Sequence, residues 1–144
     1  MSNVLIKQIG IDKDLLGNIG GIKDLNLGKS VNNMRSMKEV MAAYKAKSET
    51  VEDPAEKQKF LDLATQIELD LSDTITEVTQ QVANTNQELT IGSDGYNAML
   101  EINQVVGALN STPAIEKVTQ NLNQLSGSGR PSSFNLMIGN ILKR

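Results

Sequence analysis

Apolar side chains at Phe60, Ala64, Ile67, Leu71, Ile75, Val78, Val82 and Leu89 form one seam, with Asn86 as its single polar position. The steps between them are four or three throughout, in the order 4-3-4-4-3-4-4-3. That is an eleven-residue repeat, close to the period of a straight α-helix, so it predicts a rod rather than a left-handed heptad coil. The rod has a clear start in Asp53-Pro54-Ala55-Glu56. Asp53 can accept orphan backbone N–H groups, Pro54 suits the first helical turn, and Glu56 stands where a capping carboxylate reaches back. From Pro54 to Leu89 no further Gly or Pro interrupts it, which predicts a helix of roughly 54 Å at about 1.5 Å per residue. Asn86, among Asn84, Thr85 and Thr90, either marks fraying of the rod or sets register against an apposed helix.

Shorter periodic segments flank the rod. Val31, Met34, Met37, Met41 and Tyr44 share one face of a helix predicted over about 30–47, with Ser30 as its cap. Methionine at such spacing serves either as core or as an adaptable binding face, and Met34, Met37, Met41 and Tyr44 are the candidate partner-facing stripe. After the turn Ile91-Gly92-Ser93-Asp94-Gly95, a helix over about 94–110 presents Met99, Ile102, Val106 and Leu109. Thr112-Pro113 restarts the chain as a helix over about 113–125, with Ile115, Val118, Leu122 and Leu125 on its apolar face. The rod and this interrupted return limb match as an antiparallel pair.

The two ends differ from the middle. Residues 1–28 are punctuated by Gly10, Gly17, Gly20, Gly21 and Gly28, which disfavours a long regular helix and predicts an arm of short turns. Residues 127–133 read as a hinge. Beyond it Phe134, Met137, Ile138 and Ile141 fall at i, i+3, i+4 and i+7 of a short helix over 134–144, too short to stand alone in water. The expected fold is therefore all-α: a long-helix antiparallel hairpin or small open bundle over 29–126, with a Gly-rich N-terminal arm and a short amphipathic C-terminal docking helix. Leu5, Ile9, Leu15 and Leu16 in the arm, with Phe134, Met137, Ile138 and Ile141 in the tail, are the candidate assembly interface.

Composition sharpens this picture mainly by exclusion. The 144 residues contain no Cys and no His. That removes thiol nucleophiles, thiolate or imidazole metal sites and the commonest proton-transfer group near neutral pH. Aromatic residues make up 3%, so burial has to come from Leu, Ile, Val and Met or from neighbouring subunits. Charge is segregated: eight cations face five carboxylates over residues 1–50, one faces nine over 60–129, and three face none over 130–144. Basic ends around an acidic middle favour contact between the two, within one chain or between copies. The apolar N-terminal run is broken by Lys7, Asp12 and Lys13, which predicts no cleaved secretory leader and a chain soluble as synthesised. No apolar run reaches spanning length.

Gly28-Lys29-Ser30 resembles the end of a nucleotide-binding phosphate loop, but Lys23 occupies the position where the first glycine belongs. No apolar strand precedes it, so turn and cap are the expected roles of Gly28 and Ser30. Asp70, Asp73 and Glu77 share one side of the rod, near Asp62 and Glu68, and without His they read as a solvated or partner-facing acidic stripe. Scarce aromatics and an acidic balance disfavour nucleic acid. The sequence thus implies no enzyme, no cofactor, no metal and no small-molecule ligand.

In layout, with a polar rod, a glycine-bearing arm and a short apolar tail, the chain resembles small helical-hairpin subunits of bacterial secretion rods and filaments and of phage particles. The resemblance implies a structural subunit whose partners are further copies of itself or other proteins of an assembly. A small helical adaptor or chaperone-like binding protein using the methionine face is the alternative.

Overall fold

The computed structural model describes residues 21–143, and these are all-helical, with five helices. They are α1 (Leu25–Thr50), α2 (Pro54–Asn84), α3 (Asp94–Val106), α4 (Thr112–Leu125) and α5 (Ser132–Leu142). The predicted arm positions Leu5, Ile9, Leu15 and Leu16 lie outside the described residues.

Helix α1 begins earlier than its pattern predicts. Asp24 is the cap, extended in backbone and accepting the Leu27 N–H at 2.8 Å. Gly28 and Ser30 are consequently interior helical residues, and Gly28 is buried. Their expected roles as turn and cap are corrected: an acceptor upstream of both already satisfies the orphan N–H groups. The helix ends where Val51 turns extended, and Asp53, preceding a proline, is held extended as well. There Asp53 caps α2 by accepting from Ala55 N at 3.3 Å, with Pro54 in the first turn.

Helix α2 stops at Asn84, short of Leu89, and is roughly 46 Å long at about 1.5 Å per residue. The stop is local. Thr85 turns its hydroxyl back onto the Val82 carbonyl at 2.8 Å, and Asn86 adopts a left-handed conformation with φ 52°. Asparagine tolerates that conformation and it ends helices. Ser93 caps α3 and Ser111 caps α4, which starts at Thr112. At Gly95 the packing is close: a Cβ there would stand 2.8 Å from Leu89 Cδ2, so that side chain would have to shift.

Inter-helix contacts fix the directions. Along α1 and α2, Gln81 donates to Ser30, Thr74 touches Met37, Tyr44 stacks on Phe60 and Lys45 pairs with Glu68. Rising numbers on one helix meet falling numbers on the other, so α1 and α2 form an antiparallel hairpin, the most extensive helix pair. Helix α3 lies against both α1 and α2, and α4 runs back up α2, with Asn121 bonded to Thr76 and Lys117 to Asp73. Helix α5 closes over α3 and α4. The rod's main partner is thus α1, and the expected antiparallel return limb is corrected. Helix α3 runs with α1 and so opposes α2. Along α4, however, rising numbers meet rising numbers on α2, from Ser111 at Glu68 through Lys117 at Asp73 to Asn121 at Thr76, so α4 is parallel to the rod and covers only its C-terminal part.

The core follows these contacts: Met34 and Met41 from α1, Leu71, Ile75, Val78 and Val82 from α2, Met99 and Ile102 from α3, Val118 and Leu122 from α4, and Phe134, Ile138 and Ile141 from α5. Only Phe134 contributes a fully buried aromatic ring. Aliphatic and methionine side chains fill the rest, as the composition requires.

Candidate functional site

Two of the expected surfaces are interior. Met34 and Met41 are 0% and 2% exposed, and Met37 and Tyr44 pack half-buried against the same core. The methionine stripe is therefore the inner face of α1, not a partner-facing one, because α2 supplies the apolar surface that α1 needs. Phe134, Ile138 and Ile141 are likewise buried within their own chain, with Met137 half-buried beside them. The tail docks in cis, and as long as α5 stays docked those three side chains cannot reach a neighbour.

The polar groups that bridge the helices mostly serve helix ends. Glu68 is 2% exposed, and its Oε1 accepts the N–H groups of Asn110 and Ser111, each at 2.8 Å, while Oε2 meets Lys45 Nζ at 3.1 Å. It thereby brings a negative charge to the start of α4, where the helix dipole favours one. Burial by itself pushes its pKa up, but the Ser111 and Asn110 amides and the Lys45 ammonium together outweigh burial and hold it below the ordinary glutamate value. Asp94, at the start of α3, accepts Lys23 N and Asp24 N at 2.9 Å each, tying the start of α1 to the start of α3.

At the opposite polarity, Arg130 collects helix C-termini. Its Nε donates to the Leu125 carbonyl at 3.0 Å, and its Nη1 donates to the Ala83 carbonyl at 3.0 Å and to Asn86 Oδ1 at 3.2 Å. One cation thus closes α2 and α4 together. Ser133 Oγ donates to Glu88 Oε1 at 2.6 Å and accepts from Leu89 N at 2.6 Å, anchoring the start of α5. That hydroxyl, and next the Ser133 amide, hold the exposed Glu88 carboxyl below its ordinary pKa. Arg35 and Glu101 add a two-point pair at 3.1 Å between α1 and α3.

By composition Glu68 belongs with the acidic stripe of the rod. Its position four residues after Ala64 and three before Leu71 places it on the seam side of the rod, and that signal was available in the sequence. Asp70 and Glu77 do face outward, and Asp73, also exposed, carries the ion pair to Lys117. Apart from the Leu125 carbonyl bound by Arg130, the partners given for Asp94, Arg130 and Ser133 are 44 to 71 residues away in the chain, so no local pattern announces them.

Several hydroxyls are likewise engaged within their own helices. Thr65, Thr76, Thr79 and Thr119 turn their hydroxyls onto carbonyls one helical turn back. Among the described residues, no buried side-chain polar atom lacks a partner, and no group of three Asp or Glu is placed to hold a metal ion. No helix among them is long and apolar enough to cross a membrane.

Two grooves remain. One, of about 520 Å³, lies where α1 and α3 start and α2 ends, with Leu27, Val82 and Leu89 among its lining residues and Asp24, Glu88 and Asp94 beside them. The other, of about 550 Å³, lies between α1 and α2 beside the α3–α4 junction, and is lined by Lys45, Glu49, Lys57, Leu61, Ala64 and Glu68 among others. It belongs to the part of the hairpin that the other helices leave bare. From Pro54 to Ile67 only Ala64 is buried. No family profile, no curated protein and no solved structure matches this chain.

Proposed function

We propose that this protein is a non-enzymatic structural subunit of a multi-protein assembly, of the type found in phage particles or in bacterial secretion rods and filaments. The observation that carries this reading is the bare end of the α1–α2 hairpin. Helix α2 starts fourteen residues before Glu68, the level at which α4 starts, so roughly 21 Å of two-helix hairpin extends past that junction at about 1.5 Å per residue. Two helices alone shield little apolar surface, and this end leaves Leu61 and Leu63 more than a third exposed. An added protein surface would complete it. The capping network is consistent with the same reading, since carboxylates and hydroxyls bound to backbone groups distant in the chain hold a shape.

Further copies of the chain, or other proteins of the assembly, are the partners in this reading, and no nucleic acid, cofactor or small molecule is required. The adaptor alternative loses its binding face, because the methionine stripe is interior. Light scattering on the purified full chain over a concentration series tests the proposal. A mass that rises above that of one chain is expected, and a single-chain mass at every concentration would sink it.

A further inference from the structure

One face of α2 follows a second line of residues at steps of four and three: Leu61, Thr65, Glu68, Ser72, Thr76, Thr79 and Ala83. Above Glu68 this line is covered by α4. Ser72, Thr79 and Ala83 are buried, and Thr76 accepts a hydrogen bond from Asn121. Their small side chains let α4 approach closely. Below Glu68 the same line continues with no helix over it, leaving Leu61 38% exposed and Thr65 exposed. The groove there has a floor that includes Ala64 and the buried Ser48, and its lining carries one cation from α2, Lys57, and one anion from α1, Glu49. Among the described residues neither Lys57 nor Glu49 makes an ion pair.

We infer that the occupant of this groove is the hairpin end of a second copy, docked antiparallel about a two-fold axis, so that the four helices of two ends form one closed unit. The inference rests on the assembly reading above and names the site and partner for it. A groove bordered by an unpaired Lys on one helix and an unpaired Glu on the other is self-complementary. Under two-fold symmetry Lys57 of each copy meets Glu49 of the other. A partner of a single charge sign would leave one of these two groups opposed.

Sedimentation of the full chain tests this through charge reversal. Lys57→Glu or Glu49→Lys alone turns both symmetric contacts repulsive and is expected to weaken self-association about 10-fold. An equimolar mixture of the two variants, and a chain carrying both reversals, again place opposite charges face to face and should recover association to within about 3-fold of the native chain. Both side chains are exposed, so thermal melts followed by circular dichroism should stay at the native midpoint and separate lost docking from lost folding. Association that is unmoved by either reversal, or that fails to return in the mixture, overturns the site while leaving the assembly reading standing. A native chain that stays single at all concentrations overturns both.

Discussion

The two halves of α2 carry the same apolar seam and meet different fates. Phe60, Ala64 and Ile67 continue the spacing of Leu71, Ile75, Val78 and Val82 without a break. In the upper half the last four are at most 2% exposed; in the lower half only Ala64 is buried, while Phe60 and Ile67 stay half-exposed. The difference does not lie in α2 itself. Helix α1 runs along both halves, but α3 ends and α4 begins at the level of Glu68, so only the upper half is enclosed on several sides. Amphipathic periodicity defines a face; burial depends on how many other faces arrive there.

The largest way to break this contrast is truncation inside each half. Ile75→Ala, at a fully buried site, should cost about 3 kcal/mol in chemical denaturation, whereas Leu63→Ala should cost less than about 1 kcal/mol. Comparable losses at the two sites would mean that the lower half is enclosed in solution.

Next comes the residue at the border. Glu68→Gln removes the charge that serves Lys45 and the two amides at the start of α4, and should destabilise by about 2 kcal/mol near neutral pH. The folded-state pKa is depressed, so this stability is fully present above the ordinary value of 4.5 and is lost as pH falls through the lower folded value. The gap between native and variant should therefore shrink in acid; a gap independent of pH would show that the charge is not what Glu68 contributes.

A smaller effect separates the two candidate caps of α1. Asp24→Ala should lower stability by about 1 kcal/mol, while Ser30→Ala, within the helix, should change it by less than about 0.5 kcal/mol. The reverse order would restore Ser30 as the cap. Finally, hydrogen exchange should show amides of residues 57–63 opening well before those of 71–83, since few buried contacts protect them. Equal protection in the concentrated protein and faster exchange on dilution would locate the covering surface at the hairpin end.

Much of the architecture is legible along the chain. The all-helical class follows from the periodicity, and Asp53-Pro54 marks the start of α2 at the right residue, because cap acceptor and proline act within one turn. The same local chemistry misleads where two acceptors compete. Ser30 follows Gly28, which reads as a break, yet Asp24 is also available and caps the helix six residues earlier. The rod's end was misplaced by the seam's regularity, since Leu89 keeps the spacing and is buried although α2 has already stopped at Asn84.

What the sequence determines by itself is the set of helices and the apolar face of each, because side chains three and four apart meet on one surface regardless of what lies beyond it. Which faces meet is decided only by the tertiary structure. The methionine face and the tail had the pattern of surfaces open to a partner, and both are closed within the chain, by α2 and by α3 with α4. The Glu68 carboxylate, one more acid of the rod by composition, ends beneath the start of a helix more than forty residues away. A pattern along one helix records that a face must be covered; it holds no information on whether the cover comes from the same chain or from another, since the free energy of removing apolar surface from water is the same for both.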